Sequence, residues 1–157
     1  MIDVTKLYSE EIEDFNKYLH YDGHRRSGRY PWGLRHIFIY DYQPMIDAFG
    51  KVAIQVEDDG YLGDTRVLYD NDGRIGHLIF GWGSCSGCDA LQGCNTVEDV
   101  QELCNYLENS IRWFDTKEEA IEWFVNHDWE GDWTYHDDNT EEYIQKVLEY
   151  LKGKASS

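Results

Sequence analysis

Long hydrophobic runs are missing from this sequence, and so are most of the positive charges that a chain of its size would carry. No apolar stretch approaches the length of a membrane span. The opening residues, Met1-Ile2-Asp3-Val4-Thr5-Lys6, hold no apolar segment of the kind a secretory signal needs. The expectation is therefore a cytoplasmic protein. Only 14 Lys+Arg stand against 31 Asp+Glu, a formal charge of −17. Nucleic-acid binding requires cations that displace counterions, so direct binding of DNA or RNA through the general surface is excluded. Disorder is not expected, because aromatic residues make up 15% of the chain. A phosphate-binding P-loop, a dinucleotide G-x-G-x-x-G, an H-E-x-x-H and a complete EF-hand loop are all absent. Asp70-Asn71-Asp72-Gly73 begins like a calcium loop, but the further ligands do not follow.

What is present reads as one acidic α+β domain over residues 1–157. Tyr8, Ile12, Phe15 and Leu19 share a helical face, with Glu10, Glu11, Glu13 and Asp14 loading the first turns. Strands are expected at His36 to Tyr40, Lys51 to Glu57, Thr65 to Tyr69 and Arg74 to Trp82. The last two flank a strong hairpin turn signal, Asp70-Asn71-Asp72-Gly73. One helical turn is expected over Pro44 to Phe49, closed by Gly50.

The second half turns helical. Thr96 caps a helix running to about Ser110, and Thr116 with Glu119 forms a capping box for the next. Asn139 with Glu142 opens the last. The fold class is an antiparallel sheet of about four strands with helices packed on it, one N-terminal helix and three C-terminal ones.

Every cysteine lies between residues 85 and 104. Cys85, Cys88, Cys94 and Cys104 have the spacing C-x2-C-x5-C-x9-C. In a reducing compartment such clustering favours metal or catalysis over disulfides. The C-x2-C turn, with Gly87 inside it, places two thiolates on one side of a tight loop. Cys94 supplies a third ligand, and Cys104 or a histidine (His77, His127 or His136) completes a tetrahedral structural zinc site.

A second reading treats Gly83-Ser84-Cys85-Ser86-Gly87 as a cysteine nucleophile elbow. A hydrolase of that kind takes its base from His77, His127 or His136 and its orienting carboxylate from Asp89, Asp128 or Asp132. The elbow normally follows a parallel strand, and here a hairpin leads into it. The expectation is that the protein is not an enzyme.

Acidic clusters recur on the expected helices and in the segment from Asp128 to Asp138. Asp128, Trp129, Glu130, Asp132, Trp133, Asp137 and Asp138 combine aromatic anchors with carboxylates, and are the expected partner-binding residues. Arg25, Arg26, Arg29 and Arg35 form the opposite pole. They pair with the acidic helices, contact an acidic patch on a partner, or hold a phosphate.

The run Gly81-Trp82-Gly83-Ser84-Cys85-Ser86-Gly87-Cys88-Asp89-Ala90-Leu91 resembles a family of small uncharacterised proteins of bacteriophages and their hosts. So do Gly63-Asp64-Thr65-Arg66-Val67-Leu68, Trp113-Phe114-Asp115 and His127-Asp128-Trp129-Glu130-Gly131-Asp132-Trp133. The resemblance covers about the second half of the chain. It implies a phage origin, and with it an inhibitor of host defence, an anti-CRISPR protein that binds a nucleic-acid-binding CRISPR effector nuclease. A phage accessory or structural protein is the alternative of the same origin.

Overall fold

The computed structural model describes residues 2–21, 37, 39–83, 89–129 and 138–153. They belong to two compact units interleaved along the chain: Met1–Phe49 with Ser84–Asn109, and Gly50–Gly83 with Ser110–Ser157.

The first unit is helical. A short α1 (Val4–Leu7) is capped by Asp3, whose side chain accepts from the Thr5 N–H. Tyr8 leaves helical geometry and separates α1 from α2 (Ser9–Tyr21). Val4, Tyr8, Ile12 and Phe15 fall at helical spacing and are buried. α3 (Gln43–Phe49) buries Met45, Ile46 and Phe49. α4 (Val97–Ser110) buries Val100, Cys104 and Leu107.

Thr96 and Asp99 form a reciprocal box at the start of α4. The Thr96 hydroxyl accepts from the Asp99 N–H at 3.1 Å, and Asp99 accepts from the N–H groups of Asn95 and Thr96. Gln101 then ties the N-terminal segment to α4, accepting from the Val4 N–H and donating to the Ile2 carbonyl at 2.6 Å.

The second unit is a four-stranded antiparallel sheet in the order β1-β2-β3-β4, with β1 (Val52–Glu57), β2 (Leu62–Asn71), β3 (Arg74–Gly83) and β4 (Arg112–Phe114). The expected hairpin is present, turning on Asp72 and Gly73 with φ of 54° and 98°. Both central residues are left-handed, the geometry that matches strand twist in a two-residue turn. The Asp70 carboxylate accepts from the Gly73 N–H at 2.8 Å and fixes it.

One face of the sheet, carrying Val56, Leu68, Ile75 and Phe114, packs against α5 (Lys117–Asn126) and α6 (Asp138–Leu151). Ala120 and Phe124 of α5, with Tyr143, Val147 and Leu151 of α6, complete this core. On the opposite face two tryptophans lie over glycines of the neighbouring strand. A Cβ on Gly76 would stand 2.7 Å from the Trp113 ring, and one on Gly63 would stand 3.1 Å from Trp82.

The α+β class and the four antiparallel strands match expectation, but the strands are not the same four. Among the described residues of 36–40, Ile37, Ile39 and Tyr40 are not in a strand, although Ile37 and Ile39 are buried and Tyr40 is exposed. Alternation reports burial, and a strand also needs a neighbour to hydrogen-bond. The fourth strand is the three-residue β4, too short to show a period. β1 does not alternate cleanly either. It is a half-buried edge strand whose register shifts between Val52 and Ile54, the kind of irregularity that blunts an open edge.

Candidate functional site

The cysteine cluster falls largely outside what the structure describes. Cys85 and Cys88 lie outside the described residues, as does His136. Cys94 and Cys104 are both buried with free thiols. Cys94 ends the turn that begins at Asp89, and its thiol donates to the Ala90 carbonyl at 3.4 Å. Burial pushes its pKa up to about 11, reinforced by the carboxylates of Asp99, Asp89 and Glu102. Cys104 is on the apolar face of α4 and is likewise pushed up to about 11, by burial and by Glu108. Both surroundings favour the neutral thiol, and zinc requires the thiolate, so a bound cation would have to supply the compensating charge. Among the described residues no three His, Cys, Asp or Glu side chains converge on a metal-sized site.

Asp89, a candidate orienting group for a Cys85 nucleophile, has other work. It is buried, and one carboxylate oxygen accepts from the N–H groups of Leu91 and Gln92 and from the Tyr42 hydroxyl at 2.9 Å. This cap closes the turn that follows the cysteine loop. The Tyr42 hydroxyl is correspondingly held far above its ordinary pKa by burial.

His77, a candidate zinc ligand and candidate base, is in the core of the second unit. Trp123, Phe124, Trp129 and Tyr143 surround its ring at centroid distances of 5.2–5.7 Å. Its Nδ1 is 2.7 Å from the Tyr143 hydroxyl, which in turn donates to the Val67 carbonyl at 3.0 Å. That hydroxyl has one proton, so Nδ1 carries the hydrogen and donates. Burial, with His127 and Arg112 nearby, lowers the imidazole pKa to about 3. The ring is neutral at physiological pH and enclosed by protein.

Of the expected partner-binding residues, Glu130, Asp132, Trp133 and Asp137 lie outside the described residues. Asp138 begins α6. Asp128 is exposed. Trp129 is a correction: it is a core residue, 8% exposed, with its indole N–H donating to the Phe124 carbonyl at 3.2 Å. A tryptophan whose face and N–H are both satisfied inside its own unit is not a surface anchor. His127 is half-buried and stacks on Trp123 with ring centroids 4.2 Å apart. Beside it, Phe114, Glu119, Glu122, Trp123 and Asp128 line an open groove of about 520 Å³. Arg25, Arg26, Arg29 and Arg35 lie outside the described residues.

The carboxylates of the two helices are sorted by face. Glu118, Glu119 and Glu122 of α5 and Glu141, Glu142 and Glu149 of α6 are exposed. The opposite faces of both helices are in the core. Thr116 caps α5 by accepting from the Glu119 N–H at 3.1 Å, and Glu119 returns the contact one residue earlier than expected, to the Asp115 N–H.

Sequence reading missed the polar cluster at the base of the β1–β2 loop. Arg66 is fully buried, and its guanidinium donates to Asp58 Oδ1 at 2.9 Å and, through Nε, to the Thr140 hydroxyl at 3.2 Å. Asp64 Oδ2 stands 3.9 Å from the same guanidinium. Asp58 also accepts from Asn139 Nδ2 at 2.7 Å and from the Asp64 N–H at 2.8 Å. Asn139, expected to cap α6, serves this loop instead. Burial would raise the Asp58 pKa, but the bonds from Arg66, the Asp64 N–H and Asn139 outweigh it and hold the carboxyl below its ordinary value. The cue was an arginine placed between Thr65 and the run Val67-Leu68-Tyr69 within a strand.

These features define a strongly acidic α+β chain with solvated helix faces and a clamped hairpin loop. Compared with protein-family models, curated proteins and solved structures, the chain matches none. No helix among the described residues is long and apolar enough to cross a membrane.

Proposed function

We propose that this chain is a phage-type inhibitory binding protein. It sets an acidic face against the basic channel of a nucleic-acid-handling host defence enzyme, with a CRISPR effector nuclease as the first target. The observation that carries the reading is the charge. A chain of −17 displays a row of exposed glutamates on α5 and α6, each helix fixed by a buried opposite face. Carboxylates held on a rigid scaffold attract a cationic channel and speed encounter with it. The likeness of the Gly81-to-Leu91 run to small phage proteins supports the same class.

The reading includes a structural zinc held by Cys85, Cys88, Cys94 and Cys104, stapling the loop that Asp89 closes. Its support is the C-x2-C spacing. Elemental analysis of the untagged protein, beside Cys85→Ser and Cys88→Ser, tests it. One zinc per chain, lost in both variants, is the expected result.

Inhibition is tested by target cleavage with a purified CRISPR nuclease, with and without the protein, at low and moderate salt. Slowed cleavage is expected, with an association rate that falls as salt rises. Glu118→Gln/Glu122→Gln/Glu142→Gln should weaken it without unfolding the chain, since all three side chains are solvated. A protein that neither slows such nucleases nor retains a host protein on affinity purification is not an inhibitor of this kind.

A further inference from the structure

The β1–β2 loop is built more rigidly than a connection between two strands requires. Its base is closed by the Asp58 N–H donating to the Asp64 carbonyl at 3.1 Å and by the Asp64 N–H donating back to the Asp58 carboxylate at 2.8 Å. Beneath that pair sits the fully buried Arg66, with Asn139 and Thr140 of α6 completing the cluster. Gly60 makes the turn at φ 100°, and nothing lies within 4 Å of where its Cβ would be.

Above this base stand Tyr61 and Leu62, 81% and 63% exposed. Single exposed apolar residues are ordinary. An adjacent exposed aromatic and aliphatic pair where a clamped loop enters β2 is not, because such loops are normally built from polar turn formers. Both side chains leave most of their surface to solvent. Exposed Asp59 and, at the end of β1, exposed Glu57 precede the pair.

We propose that this segment, Asp59 to Leu62, is a docking knob for a partner protein. Tyr61 and Leu62 enter an apolar pocket whose rim carries Lys or Arg, and the preceding carboxylates meet that rim. The clamp removes in advance the loop entropy that binding would otherwise cost. Tyrosine is among the residue types that dominate interface energy when buried against a partner. A lipid surface is the wrong occupant, because the preceding carboxylates oppose anionic headgroups. The inference deepens the inhibitor reading and rests on it for the partner's basic character.

The experiment selects random displayed peptides on the intact chain and measures their binding to wild type and to Tyr61→Ser/Leu62→Ser. Both side chains are exposed, so an unchanged urea midpoint serves as the folding control. The expected result is enriched peptides that combine Lys or Arg with aromatic or aliphatic residues and bind the double variant about tenfold more weakly or worse. No enrichment, or equal binding to both proteins, overturns the knob. So does Tyr61-dependent binding to vesicles of phosphatidylcholine and phosphatidylserine. Nuclease inhibition retained by the double variant leaves the inhibitor reading standing and removes the knob. Knob-dependent peptides with no nuclease inhibited do the reverse.

Discussion

Replacing Asp58 with alanine should unfold this protein more readily than any surface substitution of similar size. The side chain of Arg66 is 0% exposed and that of Asp58 13%. Among the described residues, removing the carboxylate leaves Asp64, at 3.9 Å, as a counter-charge beside the buried guanidinium. Breaking a buried ion pair from one side costs about 3–5 kcal/mol. The Asp64 N–H and Asn139 Nδ2 lose an acceptor as well, while the nearness of Asp64 returns part of the cost. The expected loss is therefore about 4 kcal/mol.

In urea, with a slope of about 2 kcal/mol per molar, the midpoint should fall by about 2 M. Asp58→Ala/Arg66→Met should be more stable than Asp58→Ala alone, because the penalty lies in the stranded charge. The pH dependence has a definite sign. The Asp58 carboxyl is held below its unfolded value, so its contribution is complete above the unfolded pKa of about 4. It is lost as pH falls through the folded value, so wild type and Asp58→Ala should converge in acid. A midpoint shift below about 0.5 M, or a double variant less stable than the single one, would refute the account of Arg66 as a charge held by Asp58.

Three further outcomes are expected. Tyr143→Phe removes the hydroxyl that joins His77 Nδ1 to the Val67 carbonyl, and thermal unfolding should show a loss of about 1–3 kcal/mol. Gly76→Ala places a methyl 2.7 Å from the Trp113 ring, which must shift to admit it. A loss of about 1–3 kcal/mol is expected by the same assay. Cys94 and Cys104, with thiols pushed up to about 11 by burial, should label slowly at pH 8 in the native protein and fast in urea. Equal rates in both states would contradict their burial.

Turns and helix starts in both units were legible because their signals are local. Asp72 and Gly73 announce their turn by type, since few residues accept left-handed backbone. Thr96 and Thr116 announce their helices because a short hydroxyl side chain can reach an N–H three residues on. The strand forecast for 36–40 failed because hydrogen-bond pairing is not local. The described residues Ile37 and Ile39 are buried yet lie outside any strand. β4 was invisible for another reason: three residues carry no period, and its pairing with β3, Trp113 opposite Gly76, is made far away in sequence.

The candidate site was read less well. Trp129 looked like a surface aromatic because its sequence neighbours Asp128 and Glu130 are charged, yet the aromatic core around His77 takes it in. Arg66 and Asn139 are far apart in sequence, and nothing local joins them to Asp58.

The acidic count also divides in a way that the total conceals. Asp58, Asp70, Asp89 and Asp99 each accept from a nearby backbone N–H and hold a turn, loop or helix start. An aspartate is short enough to reach its own backbone, and a carboxylate in such a place is spent on local structure. The glutamates of α5 and α6 are longer, favour the helix interior, and reach water from its outer face. On α5 and α6 the solvent-facing carboxylates are therefore glutamates, whereas the carboxylates that shape turns and loops are mainly aspartates. If the proposed binding is correct, Glu118→Gln/Glu122→Gln/Glu142→Gln should weaken it while leaving the urea midpoint unchanged, because all three side chains are exposed.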